Sequence, residues 1–261
     1  MSPLETLCAS YVTDVNICLC ERLSIAMTQK KPKSAYHHGD LKNALIEVAL
    51  EHIARGGARA LSLREVARSS GVSHTAAYRH FANKESLLVA IAEQGFRMLG
   101  DALKEAIQSR ADDPVAALQA SGVAYVEFGV RHPEHLQIMF GGLIACPEDY
   151  PVLQVVSKEA YEVLTATVGD GLRTGRLHGA DEQMIALTSW ALVHGLSQLI
   201  AGGQLHTDDG RDILHRELAL AATTLLEHGI GAPATTPRKK RASAALAVSR
   251  GVRKTISTLG I

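Results

Sequence analysis

Aromatic side chains make up only 4% of this 261-residue sequence. Uninterrupted apolar runs are short as well, none approaching the roughly 20 residues a helix needs to cross a bilayer. The expectation is a chain that does not enter the membrane. Cysteine is sparse and badly placed for metal: Cys8, Cys18 and Cys20 lie near the start, and Cys146 stands alone. A single Cys-x-Cys without a second pair is a poor zinc framework. There is no HExxH, no paired CxxC, no phosphate-cradling glycine loop and no nucleophile elbow. A metal-dependent hydrolase drawing on His132, His135, His178 or His194 is therefore the disfavoured alternative, and Pro133 breaks the His132-x-x-His135 spacing. No catalytic residue, metal or cofactor is assigned. Alternation of period two is also missing throughout, which leaves an all-α fold.

Net charge is formally zero. Taken whole, that argues against a nucleic-acid binder, but the balance conceals a partition along the chain. From Thr28 to Lys84 there are ten Lys or Arg against four Asp or Glu; from Glu85 to His228 there are nine against twenty. A basic module suits phosphate neutralisation, while an acidic remainder stays off the duplex.

The basic part contains SLREVARSSGVSHTAAYRHFANK, from Ser62 to Lys84. Ser62 followed by Glu65 reads as a capping box, and Leu63, Val66 and Ala67 form the inward face of a first short helix. Gly71 supplies a left-handed turn, with Val72 as the apolar plug beneath it. Ser73 then caps a second helix, in which Ala77 and Phe81 face inward while His74, Thr75 and Tyr78 share the other side. Such a pair is a helix-turn-helix. A recognition helix enters the major groove by its N-terminal end, so His74 and Thr75 are placed to read base edges. Ser62, Arg64, Ser73, Tyr78, Arg79 and His80 are assigned to backbone contacts around them. Asn83 caps a third helix beginning at Lys84, where free amides and an ammonium make a phosphate clamp.

The run GVSHTAAYRHFANKESLL resembles the signature of the TetR family of bacterial transcriptional regulators. The likeness extends upstream through YHHGDLKNALIEVALEHIARGG, whose Leu41, Ala44, Leu45, Val48, Ala49, His52 and Ile53 form a helical stripe, and covers residues 36 to about 98. The resemblance implies an all-helical homodimer: a three-helix DNA-binding domain joined to a variable helical domain that binds an inducer. The function implied is a ligand-responsive repressor of a palindromic double-stranded DNA operator. A non-inducible DNA-binding dimer is the alternative.

Beyond Asn83, the spacing of Leu87, Leu88, Ile91, Gly95, Phe96, Leu99, Leu103 and Ile107 predicts one long connecting helix. Asp112, Asp113 and Pro114 start the next, which runs to Arg131; His132-Pro133 ends it and opens a short helix through Phe140. Helices are expected over about 152–175, 180–201 and 208–228, making a bundle of about six. An effector cavity in such a bundle is apolar with a few polar groups. Tyr125, Phe128, Met139, Phe140, Tyr161, Trp190 and His194 are its candidates, each also readable as plain core. The segment SWALVHGLSQLI, with Trp190, His194 and Gly195, is similar to the Trp-x-x-x-His-Gly element of one TetR subgroup. The effector implied is a small apolar or amphipathic molecule.

The last two helices are apolar on more than one face, a surplus that predicts burial against a second copy. Leu192, Leu196, Leu199, Leu214, Leu218 and Leu225 are the expected dimer contacts.

The domain reading is 1–35 for an extension and basic arm, 36–84 for the DNA-binding domain, 85–228 for the bundle and 229–261 for a basic tail. Residues 1–26 read as an extension upstream of a start at Met27, and no basic leader region marks them as a secretory signal. Lys31 and Lys33, with Lys30, form an arm that either follows the phosphates and minor groove or stays solvated. The tail carries seven Lys or Arg and no acid, and either adds non-specific DNA affinity or solubilises. A bacterial cytoplasmic, nucleoid-associated location is expected.

Overall fold

The computed structural model describes residues 41–178, 181–205 and 215–228, and among these described residues are nine α-helices, two 3-10 turns and no strand. The described residues from Lys42 onward belong to one compact unit.

Helix α1 (Leu41–Gly56) buries Leu45, Ala49 and Ile53 of the expected stripe together with Ile46, while Leu41, Ala44, Val48 and His52 are half-buried at its edges. A 3-10 turn (Ala58–Ala60) leads to α2 (Leu63–Ser69) and α3 (His74–His80). Leu63, Val66 and Ala67 of α2, Ala77 of α3 and the following Phe81 are all buried. His52 Nε2 and Ser69 Oγ, 2.9 Å apart, fasten α1 to α2.

Between α2 and α3 the chain reverses at Gly71, whose φ of 70° is left-handed. Its amide donates to the Arg68 carbonyl and that of Val72 to the Ala67 carbonyl, both at 3.1 Å. This pair of bonds closes the helix in a Schellman motif. Val72 is half-buried, so the plug is partial. Ser73 Oγ accepts from the Ala76 amide at 3.1 Å, as a cap should.

The box expected at Ser62 and Glu65 does not form. Ser62 occupies the cap position and its carbonyl takes the Val66 amide at 3.0 Å, but its side chain makes no capping bond. Glu65 is exposed and Ser62 half-buried, and a helix start within reach of water needs no side-chain acceptor for its first amides. The reciprocal box lies instead at the next helix, where Asn83 Oδ1 accepts from the Ser86 amide at 2.8 Å and Ser86 Oγ accepts from the Asn83 amide at 3.2 Å.

That helix, α4 (Lys84–Gln108), has 25 residues and so runs about 37 Å. Leu87, Leu88 and Ile91 are buried near its start and Phe96, Leu99 and Leu103 further along. After it come α5 (Pro114–Arg131), α6 (Pro133–Phe140), a 3-10 turn (Pro147–Asp149), α7 (Pro151–Arg173), α8 (Glu182–Ala201) and α9 (His215–His228). Pro114, Pro133 and Pro151 each stand at a helix start, where the missing amide costs no bond. Asp113 Oδ1 caps α5 through the Val115 and Ala116 amides. The central helix is α5, packed against α4, α7, α8 and α9. Helix α6 lies on α4 and also meets the turn at Ala58–Ala60, so the bundle touches the three N-terminal helices at a second place. The boundary expected at residues 84 and 85 coincides with the start of α4, which continues into the bundle.

Helix α8 corrects one expectation from sequence. Its length and its mean hydropathy of 1.4 are sufficient to cross a membrane, although no such segment was expected. The run of Met184 to Ala201 carries no Asp, Glu, Lys or Arg but is punctuated by Thr188, Ser189, His194, Ser197 and Gln198, so it did not read as one apolar stretch. Its packing against α5, α7 and α9 makes it a bundle helix. Only Ala186, Ser189, Val193 and Ser197 are buried on it, a narrow row of small side chains. Leu199 remains 42% exposed, and on α9 Leu220 and Leu225 remain 48% and 62% exposed. Leu192, Leu196 and Leu218 are half-buried, while Leu214 lies outside the described residues.

Candidate DNA-reading surface and effector pocket

Helix α3 presents His74, Thr75, Tyr78, Arg79 and His80 to solvent in one seven-residue stretch. Behind them Ala77 and Phe81 are buried, which fixes the rotation of the helix about its axis. The His74 and Tyr78 rings lie with centroids 4.2 Å apart, so each limits the rotamers of the other. The outward groups include imidazole, hydroxyl and guanidinium, able to donate to or accept from base edges and to donate to phosphates. Arg64 on α2 and Ser73 are exposed as well. Lys84 is half-buried, and its Nζ donates to the Arg59 carbonyl at 2.7 Å. That bond ties the start of α4 to the turn before α2. Lys31 and Lys33 of the arm, like the tail, lie outside the described residues.

At the other end of the molecule α5, α7, α8 and α9 border a cavity of about 410 Å³ that is open to solvent on one side. Its wall is mainly aliphatic, including Leu118, Leu164, Met184 and Leu226, with the rings of Tyr125 and Trp190. Arg176 and His178 also line it, and Arg176 is paired with Asp113 at 3.1 Å. A second cavity of about 50 Å³ lies beside Phe96, Phe140, Ala160 and Tyr161. The two have Leu103, Tyr125, Leu164 and Trp190 in common.

Tyr125 organises this wall. Its hydroxyl lies 2.9 Å from His194 Nδ1, at hydrogen-bond distance, and accepts from Trp190 Nε1 at 3.3 Å. Burial pushes the Tyr125 hydroxyl well above the usual phenol range and the His194 imidazole below the usual histidine range. Both are therefore neutral near pH 7, which suits a phenol donating to an unprotonated ring nitrogen. Phe140 packs on the same group, its ring 4.9 Å from His194 and 5.7 Å from Trp190.

Of the seven aromatic, methionine and histidine candidates, Tyr125, Phe140, Tyr161 and Trp190 line one cavity or both. His194 stands behind Tyr125 as its hydrogen-bond partner. Phe128 and Met139 are placed elsewhere. Phe128 is buried beside His132 and borders a groove between α4, α5 and α9. Met139 rests on Gly95, where any Cβ would clash with its sulfur. Sequence reasoning missed the aliphatic wall, because a leucine beside a cavity has the same helical spacing as one in solid core.

The two sites are physically continuous. Phe140 touches Trp190 at the cavity and Phe96 on α4, with ring centroids 5.7 and 5.4 Å apart. Just beyond α6, the Ala145 amide donates to Glu85 Oε1 at 3.1 Å, next to Lys84.

Known proteins share this fold. Residues 45–91 match the model of bacterial regulatory proteins of the tetR family, and residues 118–221 match that of the tetracyclin repressor-like C-terminal domain. The chain belongs to the TetR family of bacterial transcriptional regulators. Over 80 residues the chain is 32% identical to the HTH-type transcriptional regulator BetI of Rhizobium meliloti, a match spanning 31% of this chain and 34% of that relative. A solved protein of unknown function from Rhodococcus sp. RHA1 is 32% identical, with a TM-score of 0.64 over 76% of this chain and 98% of its own. The solved structure of AibR in complex with isovaleryl coenzyme A and operator DNA shares the fold at 22% identity, with a TM-score of 0.56 over 71% of this chain and 97% of its own. DNA binding through a helix-turn-helix, dimer formation and small-molecule binding are typical of TetR-family regulators.

Proposed function

We propose that this TetR-family regulator is a ligand-responsive repressor that binds a palindromic operator as a homodimer. The observation that carries the reading is the pairing, along one continuous helix, of an exposed α3 surface with a hollow apolar bundle. His74 and Thr75 would read base edges, with Ser62, Arg64, Ser73, Tyr78, Arg79, His80 and Lys84 on the backbone. The dimer face would be the uncovered apolar side of α8 and α9, with Leu192, Leu196, Leu199, Leu218 and Leu225. Gly195 supports this, since nothing lies within 4 Å of where its Cβ would be and a partner helix could approach closely. Two-fold symmetry then implies half-sites about one helical turn or more apart.

The effector is a small apolar or amphipathic molecule seated against the wall that Tyr125 and Trp190 form. AibR, bound to an acyl-coenzyme A and to DNA, supports a ligand of that general kind. Occupancy would press on Trp190 and Phe140, and through α6 and α4 alter the spacing of the two α3 helices. Switching requires the effector to favour the form that does not fit DNA. The cavity favours this reading over a non-inducible dimer, and we infer a regulator without catalytic activity, acting in the cytoplasm.

Selection of bound genomic fragments followed by footprinting tests the proposal. A protected, two-fold symmetric site is expected; protection without symmetry or sequence preference would contradict it.

A further inference from the structure

Several polar side chains along the larger cavity make their bonds within the protein. Ser121, Ser189 and Thr223 donate to carbonyls of their own helices, at 2.7, 2.8 and 2.8 Å, and Gln119 donates to Thr224 at 2.7 Å. Tyr161 differs. Among the described residues its hydroxyl is one of two buried side-chain polar atoms without a partner, the other being His215 Nδ1. Tyr161 lines the small cavity, and its ring stands edge-on to Trp190 with centroids 6.3 Å apart. Trp190, Tyr125, Leu103 and Leu164 separate that cavity from the larger one.

A buried hydroxyl left unbonded is unfavourable, and native proteins seldom retain one without cause. Its surroundings here are almost wholly apolar, including Phe96, Leu99, Phe140 and Ala160. From this we propose that the small cavity is the inner end of the effector pocket, and that the effector is an elongated, mainly apolar molecule whose leading end carries a hydrogen-bond acceptor for Tyr161. Trp190 is then the partition the ligand displaces, which makes it a specificity-determining residue. The inference rests on the ligand-responsive reading above and narrows the ligand class.

The single tryptophan, Trp190, supplies the readout. Full-length wild type and Tyr161→Phe are titrated with 2-octanone and with n-octane, following Trp190 fluorescence. The ketone should bind the variant about tenfold more weakly while octane binds both proteins equally, the cost of losing one hydrogen bond. Equal loss for both probes, or no loss for the ketone, would overturn the assignment. Thermal melting of the ligand-free proteins gives a second readout: Tyr161→Phe should melt no lower than wild type. A clearly lower melting temperature would mean that the hydroxyl is already bonded, to water, and would also overturn it. If both probes bind and release operator DNA without discriminating Tyr161, the ligand-responsive reading stands and only this inference falls. If neither probe perturbs Trp190 or DNA binding, both fall.

Discussion

The hydroxyl of Tyr125 lies 2.9 Å from Nδ1 of His194 and keys α5 to α8 at the wall of the cavity. Removing it should leave two half-buried partners, His194 and the Trp190 indole, without their bond. Tyr125→Phe is expected to lose about 1–2 kcal/mol of stability in urea denaturation, since an unsatisfied buried group costs more than an average hydrogen bond contributes. An unchanged urea midpoint would mean that the bond does not fasten the helices.

Acid should loosen the bundle. His135 is pushed down to about 4 by burial and by the neighbouring His132, and burial lowers His132 and His194 as well. A base whose folded pKa is depressed binds fewer protons folded than unfolded, so its contribution is complete above about 6.5. It is lost as pH falls from there towards 4. Stability should drop by about 2 kcal/mol across that window, allowing for solvent screening around His135. His135→Gln should flatten the profile, as followed by urea unfolding at each pH; an identical slope in the variant would shift the cause to other groups.

The turn between α2 and α3 offers a test of backbone alone. Nothing lies within 4 Å of where a Cβ on Gly71 would be, yet its φ is 70°. Gly71→Ala therefore costs strain without a clash, about 1 kcal/mol, measurable as a lowered melting temperature with operator binding retained under native conditions.

Sequence and structure agree most closely where local chemistry decides. Gly71, Ser73, Asn83 and the Asp113-Pro114 pair mark their helix ends because each effect is confined to one turn. Ser62 and Glu65 carry the same kind of pattern and make no box, since a helix start open to water does not require one. The aromatic cluster of Tyr125, Phe140, Tyr161 and Trp190 was legible because such rings are rare in this chain. The cavity itself was not. It is a volume left between helices, and its walls, such as Leu118, Leu164 and Met184, follow the same periodicity as filled core.

The uncovered leucines predict the assembly. Leu199→Glu or Leu225→Glu would place charges on an apolar face and should convert a dimer into monomers in sedimentation velocity, with loss of high-affinity operator binding. A dimer that survives both changes would place the interface elsewhere.

The role of α3 in reading DNA is tested most directly by four single variants on a recovered operator at moderate salt. Tyr78→Ala and Lys84→Ala should weaken binding about equally on all sequences, whereas His74→Ala and Thr75→Ala should change the preferred bases, each by roughly 1–3 kcal/mol. If all four bind the operator and its base-substituted versions as the wild type does, α3 does not enter the groove and the account is wrong.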